Sequence, residues 1–78
     1  MMTIRVKYFA SLRERMGRAE ETLPADAALT VAEVWRRVSS AEPLPANLLV
    51  AVNQEYSSFS QTVRDGDEVA FFPPVTGG

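Results

Sequence analysis

From Thr3 to Phe9 apolar and polar side chains alternate, with Ile4, Val6 and Tyr8 on one face and Arg5, Lys7 and Phe9 on the other. A period of two predicts a strand that buries one face. Ser11-Leu12-Arg13-Glu14 has the spacing of a capping box, the Ser11 hydroxyl taking the amide three residues on and Glu14 reaching back. Leu12 and Met16 then share a face, and Gly17 can end this short helix left-handed. Glu20 to Leu23 reads as a second strand stopped by Pro24. Thr30-Val31-Ala32-Glu33 is a second capping box, with Leu29 placed to staple onto Val34. Val31, Val34, Trp35 and Val38 then follow the i, i+3, i+4, i+7 pattern, which predicts the main helix over Val31 to Ser39 with Glu33, Arg36 and Arg37 facing out.

Pro43 and Pro45 mark the loop out of this helix. Leu48 to Val52 is a continuous apolar run of strand length, read as a central strand buried on both faces. Asn53-Gln54-Glu55 reads as a turn, and Ser57 to Val63 as an irregular stretch pegged into the core by Phe59 and Val63. Asp65-Gly66-Asp67 is a tight turn into the last strand, Glu68 to Phe72, which Pro73-Pro74 ends because proline cannot donate to a ladder. One main helix and one short helix on a mixed sheet of four or five strands satisfy the layering of an α+β domain. With the first and last strands paired at its centre, that sheet is a β-grasp, the fold of ubiquitin. The domain is expected over 1–72 and an extended tail over 73–78.

Composition narrows the chemistry. The 78 residues suffice for one small domain with a thin core. Hydrophobic residues are 46% and charged residues 23%, the mix of a soluble globule. There is no cysteine and no histidine, so thiolate chemistry and the commonest general base and metal ligand are missing. No apolar run approaches a membrane span and the start does not read as a signal peptide, so the cytoplasm is the expected compartment. The net charge of −2 divides unevenly: residues 1–39 hold seven basic and five acidic side chains, residues 40–78 one basic and five acidic. Without a basic excess nucleic acid is not an expected partner.

The segment Val69-Ala70-Phe71-Phe72-Pro73-Pro74-Val75-Thr76-Gly77-Gly78 carries no charged side chain. Pro73 and Pro74 make a stiff spacer. Gly77 and Gly78 lack Cβ atoms and can thread a channel too narrow for other residues. A frayed terminus is the competing reading of composition alone, but frayed ends are commonly polar and this one is apolar, stiff and then bare. A carboxylate is a poor electrophile until an ATP-using enzyme converts it to an acyl-adenylate. Capture by an amine then makes a conjugated modifier. Capture by a sulfur donor makes a thiocarboxylate, a soft nucleophile that lets a protein without cysteine carry reactive sulfur.

The stretch Asp65-Gly66-Asp67-Glu68-Val69-Ala70-Phe71-Phe72-Pro73-Pro74-Val75-Thr76-Gly77-Gly78 resembles the signature end of the molybdopterin synthase small subunits, a family of ubiquitin-like sulfur carriers. Val6-Lys7-Tyr8-Phe9-Ala10 with Arg13-Glu14, and Val50-Ala51-Val52-Asn53-Gln54, resemble the same family in the same order. Thiamine-pathway carriers share the Gly-Gly end but generally lack the Phe-Phe-Pro-Pro-Val-Thr lead-in. The resemblance implies that an adenylating enzyme similar to ubiquitin-activating enzymes uses ATP to charge Gly78, and that a sulfur-donor enzyme then converts it to the thiocarboxylate. The tail would insert into the large subunit of a heterotetrameric synthase and give its sulfur to a cyclic pyranopterin, building the dithiolene of molybdopterin. The chain itself would bind no cofactor and contribute no catalytic side chain.

Strand parity supplies a docking surface. Val69 and Phe71 share one face of the last strand, while Glu68, Ala70 and Phe72 share the other. If first and last strands pair, Phe9 and Phe72 converge on the outward face at the root of the tail, with Tyr56 joining them, as the family's hydrophobic patch implies. Arg13 is either a polar contact at the rim or a solvated helix arginine. Tyr8, Trp35, Phe59 and Phe71 read as core, and Asp65 and Asp67 as turn residues. The other functions left open are a carrier for thiamine or RNA thiolation, a conjugated modifier, and an interaction module whose Gly-Gly is incidental.

Overall fold

The computed structural model of the protein describes residues 3–24, 27–39 and 48–73. Along the chain run β1 (Thr3–Tyr8), α1 (Ser11–Met16), β2 (Glu20–Pro24), β3 (Leu29–Thr30), α2 (Val31–Val38), β4 (Leu49–Val52), β5 (Glu55–Tyr56), β6 (Thr62–Val63) and β7 (Glu68–Phe72). Five of the strands form one mixed sheet in the order β2-β1-β7-β4-β5, while β3 and β6 form a separate antiparallel pair. β1 and β7 are parallel neighbours, Val6 opposite Val69 and Tyr8 opposite Phe71. β4 runs antiparallel to β7, with Leu49 opposite Phe72 and Val52 opposite Val69. First and last strands thus lie side by side in the middle of the sheet, as expected of a β-grasp.

The core lies on one face of that sheet. Ile4, Val6 and Tyr8 from β1, Val50 and Val52 from β4, and Val69 and Phe71 from β7 cluster with Leu12 of α1 and with Val31, Val34, Trp35 and Val38 of α2. Both helices therefore pack on the same side, because each has a single apolar face to bury. α2 begins as the sequence predicts. The Thr30 hydroxyl accepts from the Glu33 N–H at 3.2 Å, and Glu33 Oε1 accepts from the Thr30 N–H at 3.0 Å. The Thr30 donors hold the Glu33 carboxyl below the usual carboxylate range. Gly17 ends α1 at φ 76°, the left-handed conformation that glycine adopts without a Cβ clash.

Three expectations are corrected. The capping box at Ser11 does not form. Ser11 is already the first helical residue, Ala10 occupies the cap at φ 55°, ψ −133°, and no side chain caps the helix. The chain turns at Phe9-Ala10 and closes with the Leu12 N–H on the Phe9 carbonyl at 3.1 Å, so the helix starts one residue early. β4 is not buried on both faces: Val50 and Val52 are buried, Leu49 and Ala51 only half-buried. With both helices on the opposite side, no described element covers that outer face, and the central strand is β7. The stretch Ser57–Val63 is not wholly irregular, because its end pairs with β3, Leu29 opposite Val63 and Thr30 opposite Thr62. The expectation for Pro43 and Pro45 lies outside the described residues.

Candidate functional site

Because β7 is the central strand, its carboxyl end opens at the middle of the domain rather than at an edge. Phe71 anchors that exit from below. It is fully buried, its ring edge-on to Trp35 at 5.2 Å and stacked with Tyr8 at 6.3 Å and Phe59 at 6.4 Å. Phe72, one residue on, points to the other face and is half-buried. Pro73 is the last described residue of this stretch, and the site residues Pro74, Val75, Thr76, Gly77 and Gly78 lie outside the described residues.

The outer face of the sheet is organised in rows by the strand registers. Phe72 lies opposite Leu49, one step beyond the Tyr8–Phe71 pair that Phe9 also follows. The next row runs Lys7, Ala70, Ala51, Tyr56, each opposite its neighbour on the adjoining strand. The third begins with Arg5 opposite Glu68. Two rows are thus mainly apolar and the third is charged.

Each predicted patch residue can now be placed. Phe9 is 49% exposed and its N–H donates to the Phe71 carbonyl at 3.2 Å, which ties it to the tail root. The positive φ of Ala10 then turns the chain off the sheet into α1. Tyr56 is 80% exposed and its ring lies 5.8 Å from that of Phe72. It is brought there by a two-residue hairpin in which Asn53 and Gln54 have φ of 51° and 71°, the left-handed pair that matches strand twist. Phe72 and Tyr56 therefore meet; among the described residues the ring contacts do not include Phe9. Arg13 is exposed on α1, at the same end of the sheet as Phe9.

Two electrostatic groups escaped the sequence reading. Glu68 receives Lys7 Nζ at 3.0 Å and an Arg5 guanidinium nitrogen at 4.0 Å, across the β1–β7 pairing. The parallel register alone brings these side chains together, and an alternating pattern signals only that they share a face. The second group lies at the inner edge. Tyr8 Oη donates to Glu21 at 2.6 Å, Arg18 pairs with the same carboxylate, and its guanidinium sits 5.9 Å from the centre of the Tyr8 ring. Burial, then the hydrogen bond to Glu21, push the Tyr8 hydroxyl well above its ordinary pKa. Arg18 also donates to the Val38 carbonyl at 3.3 Å, which joins the end of α2 to β2.

Asp65 and Asp67 do turn work, as expected. Asp65 accepts from the Thr3 N–H at 2.7 Å and Asp67 from the Arg64 N–H at 2.9 Å. Among the described residues no cluster of acidic side chains is arranged to hold a metal ion, and no buried polar side-chain atom lacks a partner. No described helix is long and apolar enough to cross a membrane. What the geometry offers is a firmly anchored end of β7 beside a partly exposed aromatic surface.

Comparison with known proteins bears on the family and the fold. A model described as the ThiS family matches residues 6–78. The molybdopterin synthase sulfur carrier subunit of Escherichia coli (strain K12) is 42% identical, the alignment covering 96% of this chain and 99% of that protein. The protein of the same name from Chlamydomonas reinhardtii is 34% identical, covering 99% of this chain and 100% of its own. Among solved structures, SAMP1 from Haloferax volcanii superposes with a TM-score of 0.83 at 27% identity, covering 97% of this chain and 99% of that one.

Proposed function

The chain belongs to the ThiS family and is homologous over nearly its whole length to molybdopterin synthase sulfur carrier subunits, and from that premise we propose that its carboxyl end carries sulfur. The Gly78 carboxylate attacks the α-phosphorus of ATP in an adenylating enzyme, and pyrophosphate leaves. A donor at the sulfide oxidation level attacks the acyl carbon, and AMP leaves. The resulting thiocarboxylate enters the large subunit of the synthase and passes its sulfur to a cyclic pyranopterin, one cycle for each sulfur of the dithiolene. ATP is bound by the adenylating partner and not by this chain.

What this chain contributes is position. The Phe71 cluster fixes the end of β7, so the tail is attached at one place. Phe72, Tyr56 and Phe9 form the surface on which the large subunit docks, with aromatic anchors of the kind that dominate interface energetics. Gly77 and Gly78 keep the thread narrow, and Thr76, Val75, Pro74 and Pro73 are its length. The observation that carries this reading is the family match running through the fold to residue 78.

Incubation with the adenylating enzyme, ATP and a sulfur donor tests it. The chain is expected to gain the mass difference between one sulfur and one oxygen, mapped by fragmentation to Gly78. An unchanged mass, with an adenylating enzyme active on a known carrier, would falsify the proposal. The superposition on SAMP1, which is called a small archaeal modifier protein, favours a second reading in which an amine captures the same adenylate. An amide bond between Gly78 and a lysine is its signature.

A further inference from the structure

Ala70 is 8% exposed although it belongs to the outward face of β7 and is absent from the core cluster beneath the sheet. Its shelter therefore comes from neighbours on the outer face. Along β7 these are Glu68 and Phe72, and in the flanking strands Lys7 and Ala51. Tyr56 stands opposite Ala51, with its ring against Phe72. The centre of the outer face is thus two adjoining methyl groups ringed by long side chains: two aromatic rings on one side, and on the other the Lys7–Glu68 ion pair at 3.0 Å with Arg5 behind it.

We propose that Ala70 is the specificity-determining residue of the docking surface: the floor of a depression that receives an apolar side chain from the large subunit, with Glu68, Lys7 and Arg5 marking where the contact ends. The inference rests on the reading that this face docks the large subunit. It adds which residue sets the fit and where the footprint stops. The occupant is identified by three features. β7 ends at Phe72, so the protein that takes the tail meets this end of the sheet. Toward β4 and β5 the lining is Ala51, Phe72 and Tyr56, which suits an aliphatic or aromatic side chain and not an ion. Toward β1 and the start of β7 it is the Lys7–Glu68 ion pair, whose charges already satisfy each other, the character of a rim rather than of an interface centre. Filling the floor excludes the incoming side chain, while the added atoms extend outward, away from the core.

The test measures affinity for the large subunit and thermal stability on the same variants. Ala70→Leu is expected to weaken binding at least tenfold while a cooperative melting transition is retained, because the added atoms extend outward from the core even though they crowd the ring of neighbours. Ala51→Leu fills the same depression from β4 and serves should Ala70→Leu fail to fold. Lys7→Ala and Arg5→Ala are expected to change affinity less than threefold, because rim charges act mainly on association rate. Phe72→Arg tests the underlying reading. If Phe72→Arg weakens binding and the two leucine variants do not, docking stands and the inference about Ala70 is overturned. If none of the three weakens binding, the docking reading itself fails. A free chain that is dimeric, and becomes monomeric on Ala70→Leu, overturns the inference by making a second copy the occupant.

Discussion

Phe71 and Phe72 are adjacent and chemically alike, and the pleat of one strand gives them opposite roles. Phe71 closes an aromatic cluster with Trp35, Tyr8 and Phe59, so Phe71→Ala leaves a cavity and loses roughly 3–5 kcal/mol of stability. A domain this small has little reserve, and chemical denaturation is expected to show a large drop or a chain already unfolded in buffer. Ala10 makes the reverse case. At φ 55° and ψ −133° it holds a conformation that glycine adopts without strain, in a turn that nothing caps with a side chain. Ala10→Gly is therefore expected to stabilise the protein by about 1 kcal/mol, less the backbone freedom glycine adds to the unfolded chain. A lowered denaturation midpoint would show that the unfolded-state term dominates.

At the scale of elements, α1 and α2 show how far local signals reach. Both begin with the spacing of a capping box, and only Thr30 and Glu33 form one. Thr30 is extended at φ −79°, ψ 158°, which aims its hydroxyl at the amide three residues on. Ser11 sits one position too late, because the turn at Ala10 has already started the helix. Thr30→Ala is expected to cost about 1 kcal/mol, and Ser11→Ala almost nothing, in paired urea titrations. A loss at Ser11 as large as that at Thr30 would mean that the box forms in solution. The same contrast holds among strands. Those of four or more residues show in the sequence as alternation or as an apolar run, whereas β3 and β6 have two residues each, too short for any period, and exist only through each other.

For the whole molecule, the proposed division of labour is between a folded body and a reactive end. Among the described residues the buried hydrophobic side chains fall between Ile4 and Phe71, and Gly78 has no side chain to pack. Removal of Gly78 is therefore expected to leave the melting curve unchanged. It is also expected to abolish sulfur transfer, because a carboxylate one residue short does not reach the activating and accepting centres, and small misplacements of reacting atoms are costly. A truncated chain that still gains sulfur mass at Gly77 would show that the partners tolerate a shorter thread.

The sequence by itself determined the inward faces of β1 and α2 and where α2 begins, and it singled out the segment proposed to carry the chemistry. These are local properties: alternation in β1, the Thr30-to-Glu33 spacing, and an apolar, proline-stiffened run into two glycines. Tertiary structure decided what meets across strands. The parallel register of β1 and β7 sets Glu68 between Arg5 and Lys7, the hairpin at Asn53-Gln54 brings Tyr56 to Phe72, and with both helices on one side Leu49 and Ala51 of β4 are only half-buried. None of this is written in local pattern, because a strand's neighbours are chosen by the packing of the whole sheet, and residues far apart in the chain become adjacent only when that packing is complete.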